Sequence, residues 1–307
     1  MKALLKVIGC SMVITLIASS SALAGDEIRF GVPPWPGVTV KTEIVCQLLE
    51  TMGYETEQTE VGPPVIYKGM EDDEIDAFLG AWTPQQNPLL NPLREQGRVE
   101  IVRTNLKDAV ISLCVPKYAA KAGLKSFSDL DDHADKFDSH IYNIDVGSPM
   151  HTAMEEIIEK DVAGLGDWEQ TGTATPIMLQ QVKSMMDQGK WVAFACWKPH
   201  WMNVGLEMAY LEAAPGTEKF ANDSLIHTVV RSDFKQRFPG VYKMFENIRI
   251  TALTQSRWIN AFSKEGQRVE VVAKEWISNN PEQVSQWLEG VTAPDGSPGA
   301  EKILSQL

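Results

Sequence analysis

The chain has 307 residues and a formal net charge of −13 at pH 7. This acidity argues against nucleic acids and anionic membranes as partners, because both would repel it. The length exceeds that of a typical single hydrophobic core. It therefore predicts two lobes and excludes a small fold held together by disulfides.

The first 24 residues have the pattern of a cleaved secretory signal. Lys2 and Lys6 form a short basic region, residues 7–17 are apolar, and residues 22–24 supply a small-x-small cleavage site. The apolar run is shorter than the roughly 20 residues that span a bilayer, so a membrane anchor is the less favoured alternative. We predict an exported, soluble, monomeric chain that is cleaved near Ala24.

Three cysteines follow the signal, and each lies in an apolar run: Cys46, Cys114 and Cys196. We interpret them as small buried hydrophobes, with one disulfide as the alternative. A Cys196 nucleophile acting with His200 is disfavoured, because the cysteine lies inside a strand and has no orienting acid nearby. No metal or cofactor motif occurs. The acidic runs 71–74 and 129–135 are interpreted as solvated faces, with a structural Ca²⁺ site as the alternative.

Strands and helices alternate from the end of the signal onward. Strands at 27–32, 54–61 and 75–82, with helices at 38–52 and 63–70 between them, predict a parallel α/β sheet. Further strands are predicted at 98–103, 109–115, 141–146, 168–173, 191–197, 208–212 and 225–231. Further helices are predicted at 116–122, 128–135, 149–160 and 176–188, and the chain beyond residue 233 is predicted to be nearly all helical.

This order predicts an α/β fold with two lobes. The first lobe comprises residues 25–110 and 213–307, and the second comprises residues 111–212. The chain would cross between the lobes near residues 107–112 and again near 208–215, where the strand 208–212 returns to the first lobe. Two such crossings form a hinge, and the lobes would close around a ligand in the cleft between them.

Three of the predicted strands run into a tryptophan that a proline follows within two residues: Trp35, Trp82 and Trp197. Ligands of open α/β sheets bind at the carboxyl ends of strands, so we expect these indoles to meet in the cleft. A trimethylated cation has no N–H donor, and its natural receptor is an aromatic box. Trp201 either completes the box or braces Trp197. The alternative for each tryptophan is core packing.

A zwitterionic ligand also needs donors for its negative end. Ser148 opens a predicted helix whose free N–H groups and positive dipole end suit an anion, and His151 lies one turn further on. Gly37 and Val38 begin another helix in the same way. The alternative for Ser148 is a simple N-cap, which is compatible with ligand binding.

Four motifs carry a resemblance that covers most of the chain after the signal: RFGVPPW from Arg29, GPPVIYKG from Gly62, DAFLGAWTP from Asp76 and WKPHWMN from Trp197. In these motifs the chain resembles the periplasmic substrate-binding proteins of ABC importers for glycine betaine, choline and related methylated amines. The resemblance implies a class II-like, two-lobed periplasmic binding protein. It also implies an aromatic box, an inner-membrane permease as partner, and no catalytic residues.

Within this family, Trp35, Trp82 and Trp197 match box positions of the choline-binding branch. That branch has an acidic residue where this chain has Gly37, and a tyrosine where the best match is Ile111. The resemblance therefore favours glycine betaine or trimethylamine N-oxide over choline or carnitine. An exported enzyme acting on such amines, or a sensor domain, is the alternative of another class. The enzyme would need a titratable residue beside the box, and the sensor would need a fused signalling segment.

Overall fold

A computed structural model describes residues 27–305 of the chain. The predicted signal, residues 1–24, lies outside this range. In the described part, none of the helices has the length and apolar character that crossing a membrane requires.

Within residues 27–305, nine strands form one mixed sheet. The strands are β1 (Ile28–Val32), β2 (Thr56–Glu60), β3 (Ala77–Thr83), β4 (Val99–Pro116), β5 (His140–Asn143), β6 (Glu169–Gly172), β7 (Ala193–Lys198), β8 (Met208–Tyr210) and β9 (Asn222–Arg231). Their spatial order is β2-β1-β3-β9-β4-β7-β5-β6, with β8 paired to β4 outside this path. β1 pairs in parallel with both β2 and β3, as the alternation of elements predicts.

The helices are α1 (Pro36–Met52), α2 (Pro63–Glu71), α3 (Asn87–Glu95), α4 (Lys117–Lys121), α5 (Ala134–Phe137), α6 (Pro149–Glu159), α7 (Thr175–Asp187), α8 (Met202–Gly205), α9 (Phe234–Arg237), α10 (Pro239–Asn247), α11 (Ala252–Ile259), α12 (Val269–Asn279), α13 (Pro281–Trp287) and α14 (Gly299–Leu304). A π-helical turn, Asn260–Lys264, continues α11. The prediction that the chain is mostly helical beyond residue 233 is confirmed.

Helix α1 shows how local sequence positions the site. Pro36 occupies the first helical position, where its missing N–H costs nothing, and Trp35 is the N-cap. Val40, Ile44 and Leu48 lie on one buried face at helical spacing. The helix ends at Gly53, which has a φ of 97° that a side chain would disfavour. The N-terminus of α1 is thereby held at the carboxyl end of β1.

The buried apolar side chains form two separate cores. The first contains residues from 28–109 and 226–303, and the second contains residues from 111–221. Ala214, Phe220 and Ala221 belong to the second core, whereas the predicted first lobe resumes at residue 213. The prediction that the strand near Met208 returns to the first lobe is wrong, because β8 pairs with the far end of β4.

The two cores are joined by a ribbon of two antiparallel strands, β4 and β9. One strand of 18 residues replaces the two predicted at 98–103 and 109–115. Its pairing with β9 continues through the segment between them by means of register shifts. Ala109, the last β4 residue of the first core, pairs with Ser224, and Ile111 of the second core pairs with Asn222. Both passages of the chain between the cores therefore lie side by side.

Two of the three cysteines form a disulfide. Cys114 of β4 and Cys196 of β7 are bonded with their Cα atoms 5.7 Å apart, while Cys46 is buried and free. The interpretation of all three as simple buried hydrophobes is therefore wrong for this pair. Their proximity depends on the antiparallel pairing of β4 with β7, residues far apart in sequence. The bond also removes the thiol that a Cys196 nucleophile would need.

Candidate functional site

The strands that carry Trp82 and Trp197 run towards each other along the β4–β9 ribbon. Trp82 pairs with Ile226 of β9, and Trp197 pairs with Ile111 of β4, which in turn faces Asn222. Four residues of β9 thus separate the two levels, about 13 Å along an extended strand. The carboxyl ends of β3 and β7 consequently meet where the two cores adjoin. Trp82 packs against both cores.

Trp35 reaches the same region from β1, which is parallel to β3. It is partly buried against the first core, and its carbonyl accepts the N–H groups of Val38 and Thr39 at 3.1 Å. A Cβ on Gly80 would lie 2.8 Å from Val38 Cγ2, so the absence of a side chain at Gly80 lets α1 press against β3. This close approach places the start of α1, next to Trp35, against the strand that carries Trp82.

Trp197 and Trp201 enclose an imidazole. The His200 ring centroid lies 4.9 Å from that of Trp197 and 5.5 Å from that of Trp201, and both indoles pack against the second core. Cis peptide bonds precede Pro84 and Pro199, in the turns that follow Trp82 and Trp197. The sequence motif pointed to the two tryptophans but missed His200 as a member of the cluster. The only sequence signal for it is its position between them.

His200 is buried and uncharged. Burial lowers its pKa from 6.5 to about 3, and its Nδ1 accepts the Met202 N–H at 3.3 Å. A neutral imidazole contacts both indoles at tilted angles without adding positive charge beside them. The cluster can therefore offer ring faces to a cation without the repulsion that a protonated histidine would cause.

A polar network holds the turn that carries these rings. Asn203 Nδ2 donates to the carbonyls of Trp197 and His200, each at 2.9 Å, and Tyr210 Oη donates to Asn203 Oδ1 at 2.6 Å. Burial raises the pKa of the Tyr210 hydroxyl, which stays a donor near neutral pH. The disulfide anchors the residue just before Trp197.

Ser148 and His151 lie at the same edge of the sheet as Trp197. Helix α6 follows β5, which is parallel to β7, so the N-terminus of α6 adjoins the carboxyl end of β7. Ser148 is an N-cap, which is the alternative that the sequence offers, with Oγ accepting the His151 N–H at 3.2 Å. His151 is buried, and its Nδ1 makes no hydrogen bond, although Glu155 Oε1 lies 3.4 Å from it.

Gly37 and Val38 are both buried at the start of α1, but their surroundings differ from a simple anion nest. The Val38 N–H is already engaged by Trp35. A Cβ on Gly37 would collide with Gln255 Nε2, and Gln255 Oε1 is buried without a partner. Gln255 therefore occupies the space that any side chain at position 37 would need. No sequence signal marked this residue, because it comes from the distant helix α11.

Two groups of polar side chains form hydrogen bonds next to the segment that carries Trp82, one around Lys41 and one on the ribbon. Lys41 Nζ donates to the Leu79 carbonyl at 3.1 Å and to Asn105 Oδ1 at 2.9 Å, and burial lowers its pKa to about 7. On the ribbon side, Gln85 Nε2 donates to Asn222 Oδ1 at 2.8 Å and to Ser224 Oγ at 3.1 Å. The turn after Trp82 is thus tied to the strand that passes between the cores.

The remaining tryptophans lie elsewhere. Trp258, Trp276 and Trp287 contact one another in the C-terminal helices with centroid distances of 5.1 and 5.0 Å, and they pack in the first core as expected. Trp168 is buried beside Phe137. In the described residues, no group of three or more His, Cys, Asp or Glu is placed to hold a metal ion.

Residues 26–279 match the family model of the substrate-binding domain of the ABC-type glycine betaine transport system. The chain belongs to this family. It is therefore a substrate-binding component of a glycine betaine/choline-type ABC transporter, as the sequence motifs indicate. Family members of this kind are transport proteins, not enzymes, which removes the enzyme alternative.

Individual relatives agree with this assignment. The glycine betaine/carnitine transport binding protein GbuC of Listeria monocytogenes serotype 1/2a is 26% identical over 189 residues, 61% of this chain and 62% of that protein. An ABC-transporter choline-binding protein in complex with choline superposes with a TM-score of 0.83 at 29% identity, covering 91% of this chain and 97% of its own. Lactococcal OpuAC, closed on glycine betaine, has a TM-score of 0.74 at 22% identity, over 85% and 98% of the two chains. The predicted two-lobed α/β fold is thereby confirmed.

Proposed function

We propose that this chain captures a methylated amine in an indole box formed by Trp35, Trp82 and Trp197, with Trp201 beside it. The observation that carries the proposal is the meeting of the carboxyl ends of β3 and β7 where the two cores adjoin. In a desolvated box each cation–π contact contributes about 2 kcal/mol or more, because indole faces attract a cation that cannot donate hydrogen bonds.

The favoured ligand is a zwitterion such as glycine betaine, or trimethylamine N-oxide. Ser148 and His151, at the start of α6, would meet its negative end, and Gly37 and Val38 would do so from the other side. Gln255 supports this choice, because it fills the position from which a carboxylate at residue 37 could accept a choline hydroxyl. Choline and carnitine, which the names of the relatives include, are the second candidates.

The same proposal includes the cellular location of the chain and its partner in transport. The chain would be exported to the periplasm, act as a monomer, close its lobes around the ligand and deliver it to an inner-membrane permease. The first core would form the centre of one lobe and the second core that of the other, with the β4–β9 ribbon as the hinge.

Calorimetry on a matched pair of variants tests the box. Trp197→Ala should weaken the Kd for glycine betaine by roughly 30-fold or more, the loss of one desolvated cation–π contact. Trp191→Ala is the control: Trp191 lies just before the amino end of the same strand, against His133 and Phe137. Unchanged affinity in a folded Trp197→Ala protein would contradict the proposal.

A further inference from the structure

One lysine places its charge on an indole of the candidate site. Lys264 Nζ lies 4.8 Å from the ring centroid of Trp201. Lys264 is the last residue of the π-helical turn, a rare element that is frequent at functional sites. Its side chain forms no ion pair with any residue in the range 27–305, although the chain is strongly acidic. The ammonium group therefore has the indole as its main neighbour.

This contact connects the two cores. Trp201 packs against the second core, whereas Ala261 and Phe262, in the same turn as Lys264, pack against the first. Gly205 makes room for the contact: a Cβ there would lie 2.9 Å from Lys264 Nζ and 3.1 Å from Trp201 Cε3. The lysine thus reaches from one body of the molecule onto an aromatic ring of the other.

We propose that Lys264 and Trp201 form a clasp between the lobes, and that Lys264 is a positioning residue which raises ligand affinity by favouring the closed arrangement. The contact requires the cores to be close together, so it is lost when they separate. A ligand held between the lobes binds the closed arrangement, and anything that favours this arrangement strengthens binding. The inference rests on the proposed function.

Three lysine variants test the clasp by calorimetry with glycine betaine. Lys264→Met keeps the apolar stem and removes the charge, and it should weaken binding about two- to five-fold, the effect of one exposed cation–π contact. Lys264→Arg retains a cation and should restore affinity to near the wild-type value. Lys274→Met removes the same charge from an exposed position on α12 and should bind like the wild type. Equal affinities for Lys264→Met and Lys274→Met would overturn the clasp.

The direction in which Lys264→Met changes ligand affinity distinguishes the clasp from competition between Lys264 and the ligand for Trp201. If the ammonium instead blocked Trp201 as an internal rival of the ligand, Lys264→Met would bind more tightly, and the proposal would be wrong. A ligand-free measurement is independent of the proposed function: small-angle X-ray scattering should give a larger radius of gyration for Lys264→Met than for Lys264→Arg. If the wild type binds no methylated amine, the proposed function fails. The scattering comparison still decides whether the clasp exists.

Discussion

At the scale of single residues, the proposed binding of a cation at the Trp197–Trp201 cluster requires His200 to be uncharged. It is buried between two indoles, and its pKa is lowered to about 3, so it stays neutral where an exposed histidine would begin to charge. The desolvation that excludes the proton is supplied by the rings that the ligand would contact. The packing of the two indoles around His200 therefore both forms the aromatic cluster and keeps its imidazole neutral.

This shift has a consequence for stability. The unfolded chain binds a proton at His200 below pH 6.5, and the folded chain does so only near pH 3, so stability falls as pH decreases through this window. His200→Gln should show a shallower fall in the free energy of unfolding between pH 6.5 and 4.5, measured by urea titration. His140→Gln is the matched control: it removes a half-buried histidine hydrogen-bonded to Thr171 and leaves His200 in place. Parallel slopes for wild type and His200→Gln would exclude a neutral buried imidazole.

Lys41 predicts that stability also depends on pH above 7, a higher range than the one in which His200 acts. Burial lowers its pKa from 10.5 to about 7, so between these values the unfolded chain binds a proton that the folded chain has lost. Stability therefore rises with pH above 7, and Lys41→Met should abolish this rise. Urea titrations between pH 7 and 9 avoid the range in which the Cys46 thiol, with its raised pKa, adds an opposing slope. An equal rise in both proteins would show that the Lys41 amine stays charged when buried.

Sequence patterns predict those structural features that depend on residues adjacent in the chain. The N-cap at Ser148, which the sequence offers as an alternative to anion binding, is confirmed, and α1 begins at Pro36, two residues before the predicted start at residue 38. Gln255 beneath Gly37 and the ammonium of Lys264 on Trp201 come from residues more than 60 positions away. No local pattern encodes such contacts, because they depend on how helices pack after the sheet has formed.

At the scale of elements, periodicity located most strands and helices but not their partners. The predicted strand near Met208 exists as β8, yet its pairing with β4 instead of the first core was not predictable from its three residues. Strand β4 is predicted as two pieces, because Asn105, Lys107 and Asp108 make the segment between them resemble a loop. Their bulged pairing with β9 keeps the strand continuous, and it is this continuity that joins the two cores.

The disulfide between β4 and β7 should stabilise the strand that ends in Trp197. Closing a loop of 82 residues predicts that the double variant Cys114→Ala/Cys196→Ala loses about 2–5 kcal/mol of unfolding free energy. Because Cys196 directly precedes Trp197, ligand affinity should fall as well. A reducing agent should lower the stability of the wild type and leave that of the double variant unchanged. Equal sensitivity of both proteins to reduction would show that the bond is absent in solution.

At the scale of the whole molecule, two cores joined by a two-stranded ribbon are the basis of the proposal that ligand binding and closure form one equilibrium. Trp82 contacts both cores, Gln85 is bonded to Asn222 on the ribbon, and Lys264 reaches the opposite core. The family assignment follows from motifs in the sequence, and the two-lobed fold follows from its length and its order of elements. The boundary between the lobes did not, since it depends on which core receives the side chains of residues 214–221.

This coupling predicts ligand-dependent stability and compaction together. A ligand that binds only the folded, closed chain raises the free energy of unfolding by about 2.7 kcal/mol at a free concentration of 100 times its Kd. A thermal-shift panel of glycine betaine, trimethylamine N-oxide, carnitine and choline should therefore rank the ligands. The best ligand should also decrease the radius of gyration measured by X-ray scattering, because the lobes close on it.

Ammonium chloride at the same concentration is the control, since ammonium is strongly hydrated and keeps its hydrogen bonds to water instead of entering an indole box. It should change neither the melting temperature nor the radius of gyration. Trp197→Ala should clearly reduce both responses to the best ligand at the same concentration, because the proposed box loses its ring from the second core. Stabilisation without compaction would mean that the ligand binds one core alone, and the ribbon would then not serve as a hinge.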